Sequence, residues 1–148
     1  PSDVAVDSLG NIYIADSQNY RIRKVDKDSG YISTIAGTGT PGTTGDGGPA
    51  SIASVGLVTR ISVDSTGNLW MLDNGVNSES GTRVRKIDFL SNIISTEVGG
   101  GSVRATSEDV LVEKANVSAH GFTVDSKGDI FLADATNHRV WKATLLDN

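Results

Sequence analysis

The 148 residues predict an all-β fold of small antiparallel sheets, and three observations carry that prediction. The first is repetition. The stretch Val4-Ala5-Val6-Asp7-Ser8-Leu9-Gly10-Asn11-Ile12-Tyr13-Ile14-Ala15-Asp16 returns as Ile61 to Asp73 and again as Phe122 to Asp134. Its first aspartates, Asp7, Asp64 and Asp125, lie 57 and then 61 residues apart, a period that marks a repeat architecture. The second is pattern. Apolar runs are short and punctuated by Gly, Asp, Asn and Ser, and no amphipathic helical run stands out. The third is composition, with 17 glycines and only 5% aromatic residues, as many short strands and loops require.

Each unit begins with an apolar run that ends in Asp, followed by Ser-x-Gly-(Asn/Asp) and a second apolar run. Two strands joined by a glycine-containing turn form a hairpin, in which the Asp accepts turn N–H groups and Gly supplies a positive φ. A third run follows a polar loop: Arg21-Ile22-Arg23-Lys24, Arg83-Val84-Arg85-Lys86 and Arg139-Val140-Trp141-Lys142. Ile22 and Val25 are three apart, which breaks strict alternation and predicts a bulge or a solvent-facing edge. A fourth run, Ile32 to Ile35 and Ile93 to Thr96, completes the first two units.

A four-stranded meander cannot bury both faces alone. Meanders set side by side around an axis bury their faces against each other, which makes the expected architecture a β-propeller segment. The blade units span approximately 1–37, 58–99 and 119–148, joined by long connections 38–57 and 100–118. That gives two complete blades and three strands of a third. The uncharged first strand of each unit should line the centre, with the Arg/Lys-bearing third strand further out. Ala50 to Val55 is expected to hold one helical turn within a packed loop covering the neighbouring blade.

The pattern (V/I)-x-V-D-x-x-G-N-(I/L)-(Y/W)-(I/M)-x-D-x-x-N-x-R-(I/V)-R-K resembles the NHL repeat, named after an Asn-His-Leu triplet. Asn19-Tyr20-Arg21 and Asn137-His138-Arg139 hold that triplet's place, and Gly81-Thr82-Arg83 holds it in the middle unit. Ile35-Ala36-Gly37-Thr38-Gly39 through Gly45-Asp46-Gly47-Gly48-Pro49-Ala50 is similar to the long-loop variety of teneurin-like and of bacterial and protist extracellular propellers. The resemblance covers essentially the whole chain. It implies the propeller fold and a module that binds protein partners or further copies of itself.

Net charge is −5, with 13 Lys and Arg against 18 Asp and Glu, which argues against a phosphate-backbone ligand. The chain has no cysteine, so disulfides, thiolate nucleophiles and Cys-based zinc sites are excluded. That absence leans towards an extracellular or cell-surface setting. No stretch approaches a transmembrane length, and direct membrane insertion is not expected.

Loop length varies at one end of the meander. Asp73 to Arg83 is five residues longer than Asp16 to Arg21, and the long connections start at the same end. Binding is therefore expected there, on loops carrying Asp46, Asn74, Asn77, Glu79, Glu108 and Asp109. The Gly45 to Pro49 piece offers a single carboxylate and no helix start, which is too little for calcium or phosphate. Asn116-Val117-Ser118 is a possible N-glycosylation acceptor at Asn116.

His120 precedes the first strand of the third unit. The resemblance extends to amidating lyases that place metal-binding histidines at such strand starts, which makes His120 a weak metal candidate. The matching positions here are Ser2 and Arg60 or Thr59, so imidazoles do not converge. His138 sits in the signature triplet and is expected to pack or hydrogen-bond. Asp16, Asp73 and Asp134 are expected to accept bonds from the following loop and to pair with Arg21, Arg83 and Arg139. No catalytic constellation and no cofactor are indicated. The expectation is a non-catalytic extracellular binding or structural module. The alternative is part of a metal-dependent lyase or hydrolase with its site across the central channel.

Overall fold

A computed structural model describes residues 1–76, 81–101, 103–104 and 115–144. The chain forms three antiparallel sheets. The first has β1 (Asp3–Val6), β2 (Ile12–Asp16), β3 (Arg21–Val25) and β4 (Ile32–Ala36) in that order. The second has β5 (Val58–Val63), β6 (Leu69–Asp73), β7 (Arg83–Ile87) and β8 (Ile94–Gly99). A short parallel pair, β9 (Val103–Arg104) and β10 (Ala115–Asn116), follows in the second connection, where the sequence pattern had suggested none. The third sheet has β11 (Gly121–Val124), β12 (Ile130–Asp134) and β13 (Arg139–Ala143). The sheets are blades of a β-propeller segment, with β1, β5 and β11 as successive inner strands.

The hairpins form for the local reason their composition suggests. Asp7 Oδ1 accepts the N–H groups of Leu9 and Asn11, both at 2.9 Å, and Asp64 Oδ1 accepts those of Thr66 and Asn68 at 2.9 and 3.0 Å. Asp125 repeats this with Lys127 and Asp129 at 2.8 and 3.0 Å. Asn11 and Asn68 then pass the tie outward, accepting Lys27 N–H and Phe89 N–H at 3.0 Å each. The turn amides these aspartates accept are thereby satisfied within their own unit.

The expected bulge lies between β3 and β4. Ile22 pairs with Ala36 but Arg23 pairs with Thr34, so Ile35 is the extra residue. The same shift recurs between Val84 and Arg85 of β7. In all three blades the third-strand lysine lies over the aromatic ring paired with it: Lys24 over Tyr13 at 5.7 Å, Lys86 over Trp70 at 5.5 Å and Lys142 over Phe131 at 5.7 Å.

Two cores result. One lies between the first and second blades and contains Tyr13, Ala15, Ile22, Met71, Ile87 and Ile94. The other lies between the second and third and contains Trp70, Leu72, Val84, Ile130 and Leu132. A fully buried side chain such as Met71 or Ile94 contributes about 1.5–3 kcal/mol.

The first connection does cover the neighbouring blade, and it belongs to the first core through Ala50, Ala53 and Val55. It leaves the loop end of the first blade at Gly37, whose added Cβ would meet Tyr20 O at 2.3 Å. It then runs along the outer edge of the second blade: Gly47 N–H donates to Ile94 O at 2.8 Å, Ile94 N–H to Gly48 O at 3.0 Å and Ala50 N–H to Asn92 O at 2.9 Å. Pro49 bridges Ile93 in antiparallel fashion. A 3-10 turn, Ala50–Ile52, fills the expected place of a helical turn. Inner strands are tied by Ser2 and Ser17, whose hydroxyls both donate to Val58 O, and by Ile61 N–H to Asp3 Oδ2 at 2.9 Å.

Candidate functional site

The densest polar cluster among the described residues is a knot between the first connection and the second blade. Arg85 is fully buried. Its Nη2 and Nε donate to Asp46 Oδ1 at 2.6 and 3.1 Å, its Nη1 to Ser54 O at 2.8 Å and its Nη2 to Thr44 O at 3.2 Å. Asp73 Oδ2 lies 3.5 Å from Nη1 and is equally buried. The Asp73 carboxylate also accepts Gly56 N–H at 3.2 Å and Gly75 N–H at 2.9 Å. A buried ion pair gains little over a packed apolar one but fixes geometry when its hydrogen bonds are all made, as these are.

The sequence-predicted arginine pairing is met in the third blade and altered in the others. Arg139 Nε donates to Asp134 Oδ2 at 3.2 Å. The Trp141 indole N–H also donates to Asp134, at 3.2 Å, from the position Arg85 holds in the second blade. Burial alone would raise the Asp134 carboxyl, but bonds from Asn137, Trp141 and Arg139 outweigh it and hold it below the usual range. Arg21 instead donates to the carbonyls of Asn19 and Thr38, both at 3.2 Å. Asp16 takes Asn19 Nδ2 at 2.9 Å. Asp73 meets Arg85, two residues beyond the arginine expected. Both arginines lie on the same face of β7 and both reach the connection, Arg83 Nη1 donating to Thr43 O at 3.4 Å, but it is Arg85 whose Nη1 comes within 3.5 Å of Asp73.

Of the predicted binding-loop residues, the structure describes Asp46 and Asn74. Asp46 keeps one side exposed while its Oδ1 accepts from the buried Arg85. Asn74 is half-buried and braces the loop, donating to Thr59 Oγ1 at 3.0 Å and accepting from Thr82 Oγ1 at 3.2 Å. Asn77, Glu79, Glu108 and Asp109 lie outside the described residues. Asn116 lies in β10; its neighbour Val117 is buried and the Ser118 hydroxyl meets Thr136 Oγ1 at 3.2 Å. His120 is exposed and its N–H pairs with Ala133 O at 3.0 Å. Among the described residues no group of three or more His, Cys, Asp or Glu is arranged to hold a metal ion. His138 adopts φ +53, matching Tyr20 at +52, so the signature position serves the left-handed turn into the third strand.

The hairpin end holds a cleft of about 560 Å³ between the second and third blades, lined by Asp64, Thr66, Trp70, Lys86, Asp125 and Lys127. Asp64 is bound by Thr66, Trp70 and Asn68 and sits below the usual carboxylate range despite its burial. The equivalent Asp7 receives the Tyr13 hydroxyl, which burial and the carboxylate together push up to about 12. Asp64 and Asp125 in this lining are bound to the amides of their own turns.

Among the described residues, both end blades carry exposed apolar side chains. The first blade turns Val4, Val6, Ile12 and Ile32 outward, with Val6 60% exposed. The third blade turns Val140 outward, 70% exposed, where its counterparts Ile22 and Val84 are fully buried by the next blade.

The NHL repeat family matches residues 1–25 and 117–143. Those two stretches match the NHL repeat. A stretch of 49 residues, 32% of this chain, is 45% identical to NHL repeat-containing protein 2 of Bos taurus and spans 6% of that protein. Among solved structures, a protein of unknown function from Bacteroides thetaiotaomicron superposes with a TM-score of 0.70 and 24% identity, over 90% of this chain and 32% of its own. A virginiamycin B lyase of Staphylococcus aureus (TM-score 0.58, 18% identity) covers 97% of this chain and 38% of its own. A streptogramin B lyase (0.59, 15%) covers 99% and 41%. At these identities the structures share the fold alone. The NHL segment thus spans less than half the length of each of them.

Proposed function

We propose that this NHL segment is a non-catalytic binding and structural module, working outside the cell or at its surface. Through its end blades it joins a larger protein or further copies of itself. The observation that carries the reading is the pair of apolar end faces, whose counterparts inside the segment are buried by the adjoining blade. The two faces are of opposite kind, leading and trailing. A trailing face that covers a leading face makes a head-to-tail contact, which closes a ring or propagates. The absence of cysteine, which cytosolic chains usually carry, favours the extracellular setting. No helix among the described residues is long and apolar enough to cross a membrane.

Sedimentation of the native particle, set beside the denatured mass, tests the reading. A dimer or larger assembly of this chain supports self-association, and a longer polypeptide supports the larger propeller. A 148-residue monomer whose end-face amides exchange freely would overturn it. The names of two solved neighbours motivate the second reading, part of a metal-dependent lyase or hydrolase acting across the channel. It requires ligands beyond His120, and a chelator that changes neither stability nor any activity would remove it.

A further inference from the structure

The second blade holds a filled site that the first blade repeats in open form. Arg23 is the counterpart of Arg85: it pairs with Ile14 as Arg85 pairs with Met71, and both follow the same bulge. Arg85 is wrapped by Thr44, Asp46 and Ser54, whereas Arg23 Nε is buried without a hydrogen-bond partner. Asp16 is the counterpart of Asp73. The Gly56 amide that Asp73 accepts lies 17 residues before it, an offset that from Asp16 falls ahead of Pro1. The outer edge of β8 pairs with Gly47 and Gly48, whereas Ile32, Ser33 and Thr34 of β4 are exposed.

We propose that Arg23, Asp16 and the outer edge of β4 form a socket for an inter-blade connection of the chemistry of residues 44–56. Its occupant is an extended, glycine-rich segment of a blade of the same repeat type, seated on the leading face of the first blade. It gives a carboxylate and two carbonyls to Arg23, a backbone N–H to Asp16 and a short ladder to Ile32. The internal repeat supplies the template, and charge complementarity selects an acidic segment. The inference rests on the reading of the chain as part of a larger propeller or assembly.

The test is a chain with residues 1–57 duplicated ahead of Pro1, which preserves the 57-residue spacing and sets the duplicate Asp46 before Arg23. The Ile32 amide should then exchange on the order of 100-fold more slowly, as an edge group joined to a ladder does. Arg23→Gln should leave the unfolding midpoint of the 148-residue chain unchanged and lower that of the duplicated chain. Asp46→Asn in the duplicate should produce the same loss, with no further loss when the two are combined. Unchanged Ile32 exchange, or an equal effect of Arg23→Gln in both proteins, overturns the socket. A synthetic peptide of residues 37–57 tests it on the unaltered chain: saturating peptide should slow Ile32 exchange and Arg23→Gln should abolish the slowing, while no slowing overturns it. Native mass on the same samples separates the two readings. Assembly without Ile32 protection removes the socket alone, and protection in a strict monomer removes self-association alone.

Discussion

The leading faces of the first and second blades are built from nearly the same residues and live in opposite surroundings. Val4, Val6, Ile12, Arg23, Val25 and Ile32 on one match Ile61, Val63, Leu69, Arg85, Ile87 and Ile94 on the other. Ile32 is 52% exposed and Ile94 is fully buried. The difference lies entirely in what covers them, which for the second blade is the first blade and its connection. A repeat pattern therefore encodes a contact, and burial follows only where the neighbour is present.

Changing the paired arginines gives the widest contrast. Arg85→Gln strands two carboxylates beside a buried gap and should cost about 3–5 kcal/mol in urea unfolding. Arg23→Gln in the same chain should stay within about 0.5 kcal/mol. Equal costs would break the comparison. Truncating the paired isoleucines comes next. Ile94→Ala should cost about 2–4 kcal/mol and Ile32→Ala less than about 1 kcal/mol. A smaller effect, and one that should be alike in both blades, sharpens the contrast as a control. Asp7→Ala and Asp64→Ala each remove a hairpin acceptor and should each cost about 1–2 kcal/mol. Bonds from their turns hold both carboxyls below the usual range. Their stabilisation is therefore complete above about pH 4 and is lost as pH falls through the folded values. Melting temperature followed down to about pH 2 should accordingly fall less for Asp64→Asn than for the parent chain.

The fold was legible wherever a side chain and its partner lie in one unit. Asp7, Asp64 and Asp125 bind amides two to four residues away, so each copy of the motif displayed the whole interaction. The three-residue spacing of Ile22 and Val25 pointed to β3, but β3 pairs with β2 without a break and the extra residue is Ile35 of β4, so that spacing reflects two side chains on opposite faces. The lysine–aromatic pairs recur in all three units and could have been found by aligning them, but cross-strand register was needed to show that they face. The Arg85 knot was not legible. Its partners in the connection lie 31 to 41 residues away, and Asp46 read as a binding-loop residue for that reason. Trp141 hid the equivalence further, because an indole N–H does there what a guanidinium does in the second blade.

The order in which the knot's members are synthesised has its own consequence. Thr44, Asp46, Ser54 and Asp73 all leave the ribosome before Arg85. Until that residue emerges, the connection has acceptors with no cation to gather them. Arrival of one side chain then completes the set at once. Nascent chains arrested with Arg85 still inside the exit tunnel should leave residues 38–57 open to protease, and chains arrested after its release should protect them.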